Sequence, residues 1–243
     1  MGSSVAAVVL AAGASTRMSG RGSKALLPVG GRPILAWSLA LFESVACVDR
    51  IIVVTADADR EPLTALCHAY AKVAAPVMGG ATRHESEYRA LTALAASIDE
   101  GKIETVLVHD AARPFVTADL VERLVAAARQ SGAAIPAVRG PDTLVQAGDG
   151  TGDDGPASYW AAQTPQAFSA ATLLEAHRRA HEAGFRGTDT ASVLEWAGGS
   201  VAVVEGSYDN LKITTPEDLV RAEQIAGLGA SDPPVLGPDT FGA

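Results

Sequence analysis

The stretch Val5-Ala6-Ala7-Val8-Val9-Leu10-Ala11-Ala12-Gly13-Ala14-Ser15-Thr16-Arg17-Met18 decides the fold. Its six leading apolar residues predict a strand that is buried on both faces, and the small residues after them predict a tight loop. Small residues let backbone N–H groups approach a ligand closely, and Arg17 with the later Lys24 supplies the positive charge that a triphosphate requires. The spacing is neither GxGxxG nor GxxxxGK[ST], which disfavours dinucleotide and P-loop sites. The alternative is a small-residue turn with two solvated cations.

Outward from this stretch, short β-branched segments alternate with segments of helical period. Strands are predicted at 5–10, 50–55, 73–78, 105–109 and 133–138, and helices at 33–46, 59–72, 84–100 and 117–131. This alternation indicates βαβ crossovers, so we predict a Rossmann-like α/β fold with a mostly parallel sheet and helices on both faces. Ligands of such sheets bind beyond the carboxyl ends of the strands, which directs attention to the loops after Leu10, Met78 and His109.

The alternation stops after residue 138, where Gly, Asp and Pro are frequent. We predict a protruding β-arm at about 140–158, around a strand-like piece at 143–146. Helices are expected at 169–184, 189–197 and 216–227, and strands at 200–205 and 210–214. The length of 243 residues fits a single domain over 1–227, followed by a flexible tail over 228–243.

Composition limits the classes of function. The net charge of −9 and the pI near 5.0 argue against nucleic-acid binding, so a phosphate ligand requires a locally basic pocket. Cys47 and Cys67 lie among apolar residues without CxxC spacing, and we expect core thiols rather than metal ligands or a disulfide. No leader segment and no apolar run of membrane-spanning length is present in the sequence, so we expect a cytoplasmic protein without membrane partners.

Two polar segments carry further candidate residues. Asp110 and Arg113 leave a strand on a loop, where a carboxylate can bind hydroxyls and a guanidinium can bind a phosphate; alternatively the two pair with each other. Lys212 lies between apolar neighbours, so strand alternation would direct it into a pocket or, alternatively, to an exposed edge. His109 precedes the loop, and we expect it to satisfy a core contact rather than act in catalysis.

Ordered motifs place the chain in a family. The loop LAAGxxxRM, its Lys and the following LxxxGGxPxL resemble the sugar-nucleotide transferases, and four later elements are similar to the 2-C-methyl-D-erythritol 4-phosphate cytidylyltransferases. These elements are GGATRHES at 79–86, VHDAARPF at 108–115, YWAAQTPQAF at 159–168 and DNLKITTPEDL at 209–219, together with the Thr-Asp pair at 188–189. The resemblance covers about residues 5–226.

The resemblance implies a cytidylyl transfer from CTP to a sugar-alcohol phosphate, with Mg²⁺ carried by the CTP phosphates and with a homodimer built through the arm. It implies catalytic roles for Arg17, Lys24 and Lys212. It implies nucleotide contacts from Ala11, Ala12, Gly13, Gly80, Ser86 and Asp110. It implies acceptor contacts from Asp110, Arg113, Thr143, Thr164 and Thr188.

This sequence departs from the family pattern at three places. Ser23 stands where Pro is usual before the Lys, Ala81 stands where Asp is frequent, and no Arg occurs between Pro141 and Arg178, where the arm usually provides one. Arg139 is a possible substitute for the arm Arg. Two other functions therefore stay open: a ribitol 5-phosphate cytidylyltransferase, and a non-catalytic CTP-binding protein.

Overall fold

The structure, a computed structural model, describes residues 4–13, 23–140 and 160–229. Within these ranges eight strands form one sheet, and two further strands form a small hairpin. The strands are β1 Val5–Leu10, β2 Pro28–Val29, β3 Arg32–Pro33, β4 Val48–Thr55, β5 Val77–Met78, β6 Thr105–Asp110, β7 Ala133–Arg139, β8 Trp160–Ala162, β9 Gln166–Ser169 and β10 Ala202–Glu205. The main sheet has the order β10-β7-β9-β6-β1-β4-β5, with β8 paired to β7.

The sheet is mostly parallel, as predicted. Strand β1 lies in the interior of the sheet and pairs in parallel with β4 and β6, while β10 pairs in parallel with β7. Strand β9 lies between β6 and β7 and runs antiparallel to both, and β8 also pairs antiparallel with β7. The carboxyl ends of β1, β4 and β6 therefore meet at one edge, where parallel sheets place their ligands.

Helices cover both faces of this sheet. They are α1 Ile34–Ser44, α2 Arg60–Cys67, α3 Arg83–Asp99, α4 Ala118–Ser131, α5 Ala170–Ala183, α6 Thr190–Trp196 and α7 Pro216–Gly229. Successive side chains of β1 point to opposite faces: Val5, Ala7 and Val9 pack with α1, α2 and α4, whereas Ala6 and Val8 pack with α3, α5 and α6. This two-sided burial explains the continuous apolar sequence of β1.

Local sequence signals set the ends of several helices. Helix α3 begins after Thr82, whose hydroxyl oxygen accepts the Glu85 N–H, and α6 begins with a capping box between Asp189 and Ser192. Helix α4 ends at Gly132, which adopts the left-handed conformation with φ of 85°. The Thr82 cap fixes the first turn of α3, which lines the candidate site.

A third apolar cluster supports the site from one side. It joins Val29 of the hairpin, Ile34 of α1, Leu211 and Ile213 of the segment before α7, and the α7 face. The Trp37 indole donates to the Val29 carbonyl at 3.0 Å, which fastens the hairpin to α1. This cluster therefore packs the segment that follows Lys24 against the segment that contains Lys212.

Several predicted elements differ from the structure. The helix predicted at 59–72 ends at Cys67, and of the strand predicted at 73–78 only β5 is regular, with Val73 in an isolated bridge to Ile51. The strand predicted at 210–214 is wrong. Its backbone groups are satisfied differently, because the Ile213 N–H donates to the Ala112 carbonyl and the Thr214 N–H donates to Asp218. Strand β9 was not predicted.

The remaining predictions concern the cysteines, the arm and the tail. Cys67 is buried and Cys47 is half-buried, and both thiols are free. Most of the arm and most of the tail lie outside the described residues. Among the residues described, no helix combines the length and the apolar character needed to cross a membrane.

Candidate active site

The candidate site is a cleft of about 590 Å³ at the carboxyl ends of the central strands. Three of its walls are the loops named from the sequence, which follow β1, β5 and β6, and a fourth is the segment before α7. In the described part of the chain, its charged lining residues are Lys24, Arg83, Asp110 and Lys212. With three cations and one carboxylate, this lining is locally basic in a protein of net charge −9, which suits a polyanionic ligand.

Small residues shape the side of the cleft where β1 ends. Ala11, Ala12 and Gly13 line it, as predicted for a nucleotide loop, and Ala12 approaches the loop after β5. A Cβ atom built on Gly79 would lie 2.5 Å from the Cβ of Ala12, so only glycine allows the two loops to meet. The predicted nucleotide-binding residues of the two loops therefore share one wall.

Gly80 and Ser86 lie in the cleft wall at the beginning of α3. The Gly80 N–H donates to Ser86 Oγ at 3.0 Å, and that hydroxyl donates to the Thr82 carbonyl at 2.9 Å. Ser86 thus holds the loop that carries Gly80 against the helix. The predicted base contacts of Gly80 and Ser86 stay predictions, and their position in the wall is compatible with them.

Asp110 is the ionic centre of the cleft. Its Oδ1 pairs with Arg83, and its Oδ2 lies 2.7 Å from Lys212 Nζ. Burial by itself raises the pKa of this carboxyl, but the charges and hydrogen bonds of Arg83 and Lys212 outweigh it and hold the pKa well below its usual range. Asp110 is therefore ionised at neutral pH. The alternative considered from the sequence, a pairing of Asp110 with Arg113, is not among these contacts.

A buried hydrogen-bond chain fixes the backbone of this loop. The Asp110 N–H donates to Thr164 Oγ1 at 2.9 Å, and this hydroxyl lies 3.3 Å from Nδ1 of His109. His109 Nε2 lies 3.1 Å from the Arg113 carbonyl, so that nitrogen carries the proton and Nδ1 accepts from Thr164. Complete burial lowers the pKa of His109 to about 4, which keeps it neutral. His109 has the core contact that the sequence predicted.

Arg113 and Thr164 support the cleft from behind and are absent from its described lining. The Arg113 guanidinium donates to the Asn210 carbonyl at 2.7 Å, and Asn210 in turn donates to the Thr164 carbonyl at 2.9 Å. These contacts tie the Asp110 loop to the segment that carries Lys212. The acceptor contacts predicted for Arg113 and Thr164 stay predictions.

Lys24 and Lys212 stand on separate supports at the cleft. Lys24 begins a short 3₁₀ turn, Lys24–Leu26, and lines the wall formed by the small-residue loop. Lys212 is between the buried side chains of Leu211 and Ile213, and its own side chain is 43% exposed. The predicted alternation of these three residues is present, although the segment is not a strand.

Asp218, on the first turn of α7, anchors the chain after Lys212. Its Oδ2 accepts from the Thr214 N–H at 2.8 Å, from the Thr214 hydroxyl at 2.7 Å and from the Thr215 N–H at 2.9 Å. A signal for this anchor is visible in the sequence, because an acid three residues after Thr215 is a helix-start pattern. Its consequence for Lys212 could be recognised only from the structure.

Other predicted residues lie away from the cleft or outside the described ranges. Thr188 is exposed and is not part of the described lining, and it immediately precedes the capping residue of α6. Arg139 stacks over the Trp160 ring at 5.5 Å and is likewise absent from that lining. Arg17 and Thr143 lie outside the described residues.

Arg83 is the charged residue that the sequence analysis did not assign to the site. It was visible as part of the segment 79–86, but nothing in the sequence shows that it pairs with Asp110 across the cleft. It also contacts Glu87 one helical turn later, with 2.8 Å between Nε and Oε1. Two carboxylates therefore orient one guanidinium in the wall.

The donor set indicates how a divalent cation would bind. No group of three or more His, Cys, Asp or Glu side chains suited to a metal ion occurs in the described ranges. Asp110 is the acidic residue in the described cleft lining, and both its oxygens already face cations. A Mg²⁺ ion would therefore depend on oxygens that a polyphosphate brings, which agrees with the usual coordination of Mg²⁺.

The fold and the cleft define an α/β nucleotidyltransferase, with small-residue loops for a nucleotide and cations for its phosphates. The sequence profile of 2-C-methyl-D-erythritol 4-phosphate cytidylyltransferase matches residues 5–227. A protein of that name from Geobacillus kaustophilus is 44% identical over 225 residues, which cover 90% of this chain and 95% of the relative. One from Syntrophotalea carbinolica is also 44% identical, over 227 residues covering 90% and 95%. The chain belongs to the 2-C-methyl-D-erythritol 4-phosphate cytidylyltransferase family.

Solved structures agree with this assignment. The 4-diphosphocytidyl-2C-methyl-D-erythritol synthase of Anaerococcus prevotii superposes with a TM-score of 0.80 at 30% identity, covering 93% of this chain and 97% of that one. The 2-C-methyl-D-erythritol 4-phosphate cytidylyltransferase of Thermus thermophilus gives a TM-score of 0.71 at 37% identity, covering 91% and 98%. The predicted family and the Rossmann-like fold are confirmed.

Proposed function

We propose that this protein transfers the cytidylyl group of CTP to 2-C-methyl-D-erythritol 4-phosphate, yielding the CDP-linked product and pyrophosphate. The observation that carries the proposal is the cleft itself, in which Arg83 and Lys212 pair with Asp110 and Lys24 lines the wall next to the small-residue loop. The curated relatives bear the name of this activity over nearly the whole chain. Their name also favours methylerythritol phosphate over ribitol 5-phosphate as the acceptor.

The chemistry follows from the charges. The acceptor phosphate is already ionised at neutral pH, so its oxygen can attack the α-phosphate of CTP without a general base. The new bond joins this oxygen to the α-phosphorus, and the bond to the β-phosphate oxygen breaks. Lys24 and Lys212 stabilise the charge that collects on the α-phosphate oxygens, and Asp110 holds Lys212 in place and binds a substrate hydroxyl. Arg17 is proposed to join these cations.

Mg²⁺ is proposed to enter with CTP, held mainly by its phosphate oxygens and by water. When bound, it neutralises the triphosphate and the departing pyrophosphate. Removal of the metal with EDTA is expected to stop turnover, and excess Mg²⁺ is expected to restore it. Full turnover in the metal-free protein would contradict this part of the proposal.

A homodimer is also proposed. The arm at about 140–158 follows β7 and precedes β8, whose Trp160 side chain is 47% exposed. An apolar ring of this size at the base of a polar arm is suited to contact with a second copy. Light scattering at micromolar concentration should give about twice the chain mass of 24.8 kDa. A monomer at that concentration would contradict the proposal.

The activity is tested by pyrophosphate release with CTP and each candidate acceptor. We expect release with methylerythritol phosphate, and much less with ribitol 5-phosphate or with ATP, GTP or UTP in place of CTP. Efficient release with ribitol 5-phosphate alone would instead show a ribitol 5-phosphate cytidylyltransferase. Tight CTP binding without release for any acceptor would support a non-catalytic CTP-binding protein.

A further inference from the structure

A buried carboxylate, Glu87, lies behind the cleft wall on α3. Its side chain is 1% exposed, and it is not among the described residues that line the cleft. A carboxylate so far from water is costly unless it is paired, so its partners indicate its role. Thr190 of α6 donates to its Oε1 at 3.0 Å, and His177 of α5 lies 3.5 Å from its Oε2.

The partner that leads towards the cleft is Arg83. Its Nε lies 2.8 Å from Glu87 Oε1, while its other edge pairs with Asp110. Arg83 is the first residue of α3, where the helix dipole disfavours a cation. Two carboxylates, one inside the protein and one in the cleft, therefore hold this guanidinium in a position that the helix alone would disfavour.

The contacts continue to Lys212. From the interior to the cleft, the charges alternate as Glu87, Arg83, Asp110 and Lys212, and each side chain contacts the next. The Glu87 side chain at the interior end is 1% exposed and the Lys212 side chain at the other end is 43% exposed, so the series of contacts connects the interior with the solvent side of the cleft. If Arg83 moved away, Asp110 would keep only Lys212 of these two partners, and the Asp110 carboxylate and the Lys212 ammonium would both shift.

We propose that Glu87 is a positioning residue, which fixes the Arg83 guanidinium and thereby the Asp110 carboxylate and the Lys212 ammonium. Glu87 touches no reacting group, and its effect passes through Arg83. This inference rests on the proposed transfer activity.

The proposal is tested with a double-mutant cycle made of Glu87→Leu, Arg83→Met and the double variant, with kcat/KM for both substrates as the readout. We expect Glu87→Leu to lower kcat/KM about tenfold. The double variant should be no worse than Arg83→Met alone, because Glu87 has nothing left to position. Losses that multiply in the double variant would overturn the proposal.

Two further variants separate positioning from support of the fold. Glu87→Gln keeps an oxygen for Arg83 and Thr190, and we expect it to retain activity within about threefold of the wild type. Thr190→Val removes a buried hydrogen bond to the same carboxylate but leaves the Arg83 pair, so it should lower thermal stability without a comparable loss of kcat/KM. Equal losses of kcat/KM in Thr190→Val and Glu87→Leu would show a purely structural role.

A binding readout distinguishes failure of this inference from failure of the proposed function. If the wild type shows no turnover with any acceptor, the proposed function fails, and the cycle is then measured on the dissociation constant of CTP with Mg²⁺. Coupled, non-additive effects of Glu87→Leu and Arg83→Met on that constant would still support positioning, and independent effects would overturn it.

Discussion

Lys212 Nζ lies 2.7 Å from Asp110 Oδ2, and the other oxygen of the same carboxylate pairs with Arg83. Asp110→Asn removes the charge that holds both cations while leaving the backbone bond to Thr164 possible. We expect kcat/KM to fall roughly 10²- to 10³-fold, because a cation at the reacting centre loses its preorganised position.

Steady-state kinetics of Asp110→Asn give the measurement. The matched control is Asp119→Asn, which removes an exposed acid that pairs with Arg123 on α4, away from the cleft. Kinetics of Asp110→Asn close to those of the control would remove Asp110 from the site.

Lys24 tests the role of the small-residue loop. Lys24→Ala should lower kcat by roughly two to four orders of magnitude with the fold intact, because loss of a preorganised cation at the transition state costs several kcal/mol. Lys102→Ala is the control, since this exposed lysine pairs with Glu100 at the end of α3. A kcat for Lys24→Ala equal to that of the control would contradict the mechanism.

Asp218 tests the anchoring of Lys212. Asp218→Ala removes three contacts to Thr214 and Thr215 and should cost about 1 kcal/mol of stability, as the loss of a helix-start side chain usually does. We also expect kcat/KM to fall by about tenfold or more, because the segment of Lys212 loses its anchor. Asp119→Ala, also in the first turn of a helix, removes an exposed pair with Arg123, so it should cost less stability and leave kcat/KM unchanged. Equal kinetics of the two variants would show that Asp218 serves the helix alone.

The buried His109 should make the folded protein less stable in acid. Its pKa is about 4 in the folded protein and about 6.5 when unfolded, so the unfolded state binds the proton first as the pH falls. The free energy of unfolding should therefore drop by about 2 kcal/mol between pH 7 and pH 5 on account of this residue. The depressed pKa of Asp110 acts in the same direction at lower pH, because its contribution is present above the ordinary carboxyl range and is lost below it.

Urea unfolding at pH 7 and pH 5 measures this effect. His109→Gln, which keeps a donor towards the Arg113 carbonyl, should show a smaller difference between the two pH values than the wild type. His68→Gln, at an exposed site, should behave as the wild type does. An unchanged pH difference in His109→Gln would mean that His109 is not held neutral by the fold.

The sequence predicted the parts of the fold that depend on local pattern. The apolar run of β1 and the helical periods of α3 and α4 predicted these elements correctly. The alternation of strands and helices predicted that the cleft lies at the carboxyl ends of the parallel strands. Strand β9 escaped prediction because it is short and its neighbours β6 and β7 are distant in sequence. The segment around Lys212 has strand-like alternation, but its hydrogen bonds go to Ala112 and Asp218 instead of to a neighbouring strand.

The site could be predicted only in part for a similar reason. Asp110 is the last residue of β6 and Lys24 follows the loop after β1, so position in the sequence relative to these strands is enough to direct them to the cleft. The pairing of Arg83 with Asp110 joins α3 to β6. This contact depends on how helix and sheet pack in three dimensions, and no spacing in the sequence encodes it. The i,i+4 spacing of Arg83 and Glu87 does place these two residues on one face of α3, but it does not show that this face is buried.

Phosphorus NMR of a mixture of the protein, CTP, Mg²⁺ and 2-C-methyl-D-erythritol 4-phosphate tests the central claim most directly. The account predicts that the CTP signals decline while pyrophosphate and the paired signals of a new diphosphate diester rise in equal amounts. Unchanged CTP, or CTP consumed to free CMP without a diphosphate diester, would contradict it.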